Sequence, residues 1–258
     1  MSYYMGIDIG SGSSKGVITE DNKVITSHQL LSGVDYRKVS KELVDALLTG
    51  SGLSEKDISN AVATGQGAAS VSFDNQVVTD IRCCAKGINY LFPSARTIID
   101  VQGQSSQVIR IDETGLVGNF VISEKCASGS GRFMDIISNV LQIPLAEIGS
   151  LSLQSDNPIV FTTACAVFGE SEAVSRVAEG LPKEDILAGV HKALAEKLSS
   201  MVNRVGLEKE CAISGGGGLN IGLVKWIEKK LGISLLVPDQ PQFVTALGAA
   251  IIAARNDK

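Results

Sequence analysis

The sequence predicts an α/β protein of two lobes built on one plan, and three observations predict it. Short apolar strands alternate with helical stretches along the 258 residues. Two segments repeat each other at an offset of 92 residues: IDIGSGSSKGVI, from Ile7 to Ile18, and IDVQGQSSQVI, from Ile99 to Ile109. A third glycine cluster, Gly215 to Gly218, follows another apolar strand and precedes a helix.

In chain order, Met5 to Ile9 reads as a strand carrying Asp8 near its end. A Gly/Ser loop follows, and Gly16-Val17-Ile18 re-enters a strand. Glu20-Asp21-Asn22 turns the chain into Val24-Ile25. The second copy has Asp100 after Ile98-Ile99, a loop from Gln102, and a strand at Val108-Ile109. A turn at Asp112 to Gly115 then leads into Leu116 to Ile122. Ile7, Asp8, Ser13 and Ser14 align with Ile99, Asp100, Ser105 and Ser106. Helical periodicity predicts helices over Arg82 to Leu91, Val167 to Ala178 and Ile221 to Leu231. Another opens at Cys126, with Phe133, Ile137, Val140 and Leu141 on its apolar face. The helix from Phe243 to Arg255 is rich in Ala and Gly, which predicts tight packing against a neighbour. The expected first lobe is 1–95 plus 243–258, holding the first loop. The expected second lobe is 96–242, holding the other two loops and three of the five cysteines, Cys126, Cys165 and Cys211. One loop from each lobe would face a shared cleft.

These loops have a definite chemistry. Gly10 and Gly12 let the backbone turn tightly and bring N–H groups near an anion. Ser11, Ser13 and Ser14 add hydroxyl donors, and Lys15 adds a positive charge for phosphate oxygens. Asp8 and Asp100, at strand ends, are placed to hold the water shell of Mg²⁺ or to orient an attacking water, and are the candidate catalytic residues. The four-glycine run permits close approach of a flat ligand. There is no GxxxxGK[ST] and no GxGxxG opening a helix, so neither a P-loop enzyme nor a dinucleotide fold is expected.

Composition narrows the class. The net charge of −5 has no basic patch for nucleic acid. The longest apolar run, near Ala246 to Ala254, is too short for a membrane span, and the N-terminus has no signal-peptide layout, so a cytoplasmic protein is expected. Of five cysteines, none forms a CxxC pair, which disfavours a zinc ribbon or a ferredoxin-type cluster within one chain. His28 and His191 suggest neither a metal site nor a triad and read as surface residues.

The three loops, in this order, resemble those of the actin, sugar-kinase and Hsp70 ATPase superfamily. Within it the sequence resembles the activators (component A) of 2-hydroxyacyl-CoA dehydratases, which are related to the BadF/BadG/BcrA/BcrD-type ATPase subunits of benzoyl-CoA reductase. The most specific segments are Lys125-Cys126-Ala127-Ser128-Gly129-Ser130-Gly131-Arg132-Phe133, similar to the family's KCAAGTGRF, and Cys165-Ala166-Val167-Phe168-Gly169-Glu170-Ser171-Glu172, similar to its CxVFAESE. The resemblance implies two ribonuclease-H-like (actin-like ATPase) lobes. It also implies one [4Fe–4S] cluster per homodimer, held by Cys126 and Cys165 of each subunit. Two ligands per chain cannot saturate four irons, so the arithmetic calls for a symmetric dimer. A thiolate near a helix N-terminus is stabilised by the exposed N–H groups. Cys83, Cys84 and Cys211 lack that context and read as structural.

Nucleotide contacts (ATP or ADP, with Mg²⁺) carry over by resemblance to Ser11, Gly12, Ser13, Ser14, Lys15, Gly103, Gln104, Gly216, Gly217 and Gln242. The implied activity is ATP-driven delivery of single electrons to a partner iron–sulfur enzyme, with ferredoxin or flavodoxin as reductant. The second loop departs from the family's DIGGQDxK: Gln102 replaces a glycine, Ser105 an aspartate and Gln107 a lysine. A small-molecule, sugar-type kinase with Asp100 as base, and a non-catalytic nucleotide-binding scaffold, are the alternatives; both leave the cysteine segments unexplained.

Overall fold

The structure is a computed structural model that describes residues 2–123, 130–161 and 166–255. The described elements are β1 (Tyr3–Ile9), β2 (Ser13–Glu20), β3 (Lys23–Leu31), α1 (Tyr36–Ser51), β4 (Ile58–Thr64), β5 (Gln76–Val77), α2 (Asp80–Leu91), β6 (Thr97–Val101), β7 (Ser106–Ile111), β8 (Val117–Ile122), α3 (Gly131–Leu141), α4 (Ile148–Ser152), α5 (Ala166–Ala178), α6 (Lys183–Val205), β9 (Cys211–Ser214), α7 (Ile221–Leu231), β10 (Leu235–Leu236) and α8 (Val244–Arg255). The chain divides into two compact units. One is Met1–Ala95, Ile111–Gly118 and Gln242–Lys258; the other is Arg96–Arg110 and Asn119–Pro241.

Each unit carries one five-stranded sheet. The strand orders are β3-β2-β1-β4-β5 and β10-β9-β6-β7-β8, the second being the first plan read backwards. β1 pairs antiparallel with β2 and parallel with β4, and β6 pairs antiparallel with β7 and parallel with β9. The repeat in the sequence is therefore a repeat of sheet topology. It also extends to β4 and β9, which carry no obvious sequence likeness.

In the first unit, Met5, Ile7, Ile9 and Ile18 of the sheet pack with Leu43, Val44 and Leu47 of α1. Asp35 starts α1: its Oδ1 accepts from the amides of Arg37 and Lys38 at 3.1 and 3.0 Å. Gly52, at φ 71°, ends it. α8 packs backbone-to-backbone, as its small residues predict. A Cβ on Gly6 of β1 would collide with Ala246 O, and one on Gly248 with Cys83 O of α2.

In the second unit, Ile99, Val101 and Val108 of the sheet meet Phe133 and Ile137 of α3, Leu187, Val190, Leu194 and Leu198 of α6, and Leu223 and Ile227 of α7. α7 has the boundaries its sequence predicts, because Asn220 Oδ1 caps its start at Leu223 N, 2.9 Å away, and Gly232 ends it at φ 67°.

Two sequence expectations are corrected. α3 begins at Gly131 rather than at Cys126; Ser130, with extended backbone, takes the N-cap position. His191 is fully buried rather than at the surface, and His28 is half-buried. His191 lies on the apolar face of α6 with Leu187, Leu194 and Ala195. Its ring is accommodated there by two oxygens, Leu187 O at 2.8 Å and Asn220 Oδ1 at 3.1 Å. Among the described residues, no helix is long and apolar enough to cross a membrane.

Candidate functional site

The first loop is held from within its unit. Asp8 and Lys15 are cross-strand partners in the β1–β2 register, and Lys15 Nζ lies 3.6 Å from Asp8 Oδ2 and donates to Ser13 O at 3.1 Å. Ser11 and Ser13 are half-buried and Gly12 is exposed. Ser14 points inward: its Oγ lies 2.8 Å from Ser32 Oγ, whose hydroxyl donates to Gly10 O at 2.6 Å. Ser32 therefore braces the loop, and no local signal in the sequence marks it. Gly65 at the end of β4, with φ 84°, closes the other side; a Cβ there would stand 2.6 Å from Ile9 O.

The second unit repeats this arrangement with different chemistry. Asp100 and Gln107 occupy the cross-strand positions of Asp8 and Lys15. Asp100 is fully buried. Its Oδ2 accepts from Gln102 Nε2 and Gln107 Nε2, both at 2.8 Å, and its Oδ1 accepts from Ser214 Oγ at 2.8 Å. Ser214 is the β9 partner of Asp100, as Thr64 of β4 is of Asp8, and Gly215 (φ 77°) follows it as Gly65 follows Thr64. Gln102 Oε1 accepts from Ser105 Oγ at 3.1 Å, which fixes the orientation of its amide. The three positions that depart from the family pattern, Gln102, Ser105 and Gln107, thus form one hydrogen-bonded network on Asp100. Gly103 and Gln104 are exposed at the tip of the loop.

The tip is also tied to α3. Gly131 N donates to Gln102 O, and Arg132 N to Gly103 O, both at 2.8 Å. The first amides of a helix have no intrahelical acceptor; here the loop carbonyls supply two.

The third loop turns from β9 into a single 3₁₀ turn, Gly216–Leu219. A Cβ on Gly215 would meet Val101 O, one on Gly217 the Val101 side chain, and one on Gly218 Pro241 Cβ at 2.8 Å. Three of the four glycines are thus required by the surrounding protein, and Gly216 alone faces open space. Gln242 follows in another 3₁₀ turn, and its Oε1 is buried with no hydrogen-bond partner among the described residues.

Cys126 and Cys165, and Lys125, lie outside the described residues. Cys83, Cys84 and Cys211 are buried and form no disulfide. Burial pushes the thiols of Cys83 and Cys211 up to about 12, which keeps them protonated and makes them poor metal ligands. Among the described residues no cluster of three or more His, Cys, Asp or Glu side chains could hold a metal ion.

A sequence model of the BadF/BadG/BcrA/BcrD ATPase family matches residues 5–253. The chain belongs to this family. A 2-hydroxyisocaproyl-CoA dehydratase activator from Clostridioides difficile is 36% identical over 251 residues, which cover 97% of this chain and 94% of that protein. The solved structure of an activator of the 2-hydroxyisocaproyl-CoA dehydratase from Clostridium difficile, with bound ADPNP, superposes with a TM-score of 0.94 at 36% identity. The match covers 99% of this chain and 95% of that one. A ROK family glucokinase from Streptomyces griseus, in complex with glucose and AMPPNP, matches at a TM-score of 0.63 and 13% identity over 98% of this chain and 100% of that one. That similarity shows a shared fold alone. The BadF/BadG/BcrA/BcrD family membership therefore rests on nearly the whole chain.

Proposed function

We propose that this member of the BadF/BadG/BcrA/BcrD ATPase family is the activator of a partner iron–sulfur enzyme of the 2-hydroxyacyl-CoA dehydratase or benzoyl-CoA reductase type. It binds Mg-ATP at the three loops and uses hydrolysis to deliver one electron at a time. The observation that carries this reading is the full-length likeness to a dehydratase activator, including a structure solved with an ATP analogue.

The residues of the loops fit the role. Lys15 offers a charge to phosphate oxygens, and the exposed Gly103 and Gln104 offer backbone and amide donors at the second loop. The buried Oε1 of Gln242 would be satisfied by an N–H or O–H of the nucleoside. Asp100, held by three neutral donors, would orient the attacking water or a water of the Mg²⁺ shell, with Asp8 as its counterpart on the other unit.

Cys126 and Cys165 are the residues that would hold a [4Fe–4S] cluster, as the likeness of their segments to the family's implies; burial holds the thiols of Cys83 and Cys211 protonated, which agrees with leaving those two out. When bound, the cluster supplies the low-potential electron. Sharing it across a homodimer needs a surface for a second copy. The exposed Val174 and Val177, neighbours on one face of α5, the helix that follows Cys165, support such a surface. A ferredoxin or flavodoxin would be the reductant. The kinase alternative is supported only by shared fold.

Protein purified anaerobically is expected to be a dimer with about four irons per two chains. Cys126→Ser or Cys165→Ser should each abolish the iron, whereas Cys83→Ser, Cys84→Ser and Cys211→Ser should retain it. An intact cluster in a monomer, or one that survives without Cys126, would sink the shared-cluster reading.

A further inference from the structure

We infer that Gln102 is a positioning residue that joins Asp100 to the first turn of α3 and, through Phe133, to α5, so that nucleotide at the second loop sets how these two helices are held. The inference rests on the nucleotide reading above and deepens it, by naming the residues through which the loop reaches the cysteine-bearing segments.

Gln102 is bonded on every side. Its Nε2 donates to Asp100 Oδ2 at 2.8 Å, and its Oε1 accepts from Ser105 Oγ at 3.1 Å. Its backbone N donates to Ser105 O at 2.9 Å, and its backbone O accepts from Gly131 N at 2.8 Å. One residue therefore holds the carboxylate at the end of β6 with its side chain and the start of α3 with its main chain. The next carbonyl, Gly103 O, accepts from Arg132 N.

These bonds replace an ordinary cap. The Ser130 side chain makes no capping bond to α3, so the loop supplies the acceptors that a side chain usually supplies. Gly131 is packed against the same segment: a Cβ there would stand 3.3 Å from Gln102 O and 3.6 Å from Gly103 Cα. Hydrogen bonds weaken steeply when bent or stretched. A loop that shifts around a phosphate must carry the end of α3 with it or break both bonds.

The link continues to α5. Phe133, in the first turn of α3, is fully buried. Its ring lies against Gly169 of α5; a Cβ on Gly169 would be 2.6 Å from Phe133 Cε2. Interiors are packed too densely for α3 to slide past that contact without displacing α5. In the sequence, α3 starts five residues after Cys126 and α5 starts directly after Cys165. Both cysteine segments thus run into helices that the second loop holds, one directly and one through Phe133.

Hydrogen exchange of the full chain, purified anaerobically, tests this on peptides spanning 130–135 and 168–175. Each is measured with ADP and with a non-hydrolysable ATP analogue, and calorimetry confirms that nucleotide is bound. The exchange rate of the first turn of α3 is expected to differ between the two nucleotides by at least about fivefold, the lower end of ordinary allosteric coupling. Gln102→Met, which keeps the bulk and the main-chain bonds but removes the amide's bonds to Asp100 and Ser105, should bring that ratio close to one. Phe133→Leu should keep the response in 130–135 and lose it in 168–175. Bound nucleotide with equal exchange in the wild type overturns the inference alone. So does an undiminished ratio in Gln102→Met. No binding by the wild type overturns the nucleotide reading itself.

Discussion

His191 provides a measure of how far the buried polar groups of the second unit govern stability. It is fully buried in α6, and both ring nitrogens face oxygens: Leu187 O at 2.8 Å and Asn220 Oδ1 at 3.1 Å. Asn220 Oδ1 cannot turn away without uncapping α7, because it accepts from Leu223 N. Burial pushes the imidazole down to about 4, while the two hydrogen bonds pull the other way and lose. At neutral pH the ring is therefore uncharged, and one of its two contacts is a true donation. In the unfolded chain the same group titrates near ~6.5. The unfolded state takes up the proton first, so the stability due to His191 is complete above about pH 6.5 and is lost as the pH falls towards about 4. The full loss is about 3 kcal/mol, and roughly 2 kcal/mol of it falls between pH 7.5 and 5.0. Urea unfolding of the wild type and His191→Gln at these two pH values isolates the term. The variant should be less stable at pH 7.5, yet lose about 2 kcal/mol less than the wild type on acidification. Parallel losses in both proteins would mean that His191 does not titrate between the folded and unfolded states as burial requires.

Other consequences follow from the loops and the helix packing. Lys15→Ala should weaken ATP binding by about 1.5–3 kcal/mol, the usual worth of a charged hydrogen bond. Calorimetry that finds unchanged affinity would count against the first loop as a phosphate site. Asp8→Asn should spare binding more than turnover, and a variant with full turnover would remove Asp8 from the mechanism. Gly248→Ala puts a methyl against Cys83 O. It should lower stability by about 1–3 kcal/mol or more, as overpacking does. Gly12→Ala, where nothing lies within 4 Å of the new Cβ, should stay within about 0.5 kcal/mol of the wild type, both variants being measured by urea unfolding.

What the sequence disclosed, and what it hid, follows from whether the deciding interaction was local. α7 is bounded by its own Asn220 and Gly232, so both ends were legible. The duplicated Ile-Asp strands and their Gly/Ser loops were legible because the repeat is contiguous. The start of α3 was not, because its first amides are satisfied by a loop some thirty residues earlier. Ser32, just past the end of β3, and Ser214, at the end of β9, are single serines with no local signal, and only the fold brings them to Gly10 and Asp100. Gln102, Ser105 and Gln107 stood out as three separate departures from a family pattern; the fold makes them one network. From the sequence His191 reads as a surface residue, because one polar residue on an apolar helical face can be either a boundary or a buried group with partners; of its two partners Leu187 O is local, but Asn220 Oδ1 is distant in sequence.

The way α8 fits onto Gly6 and Gly248 also says something about how the molecule is made. β1 leaves the ribosome before any of the second unit, yet its backbone lies directly against Ala246 and Ala250, which follow only after the whole of that unit. The second unit is one nearly continuous stretch of chain and can close its own core as soon as it has emerged. The first must wait, holding the apolar strands β1, β2 and β4 without the helix that covers them. During synthesis the order of folding is therefore the reverse of the order in sequence, and the first unit is the one exposed to chaperones. A stalled or truncated chain ending before Val244 would present a folded second unit attached to an open sheet.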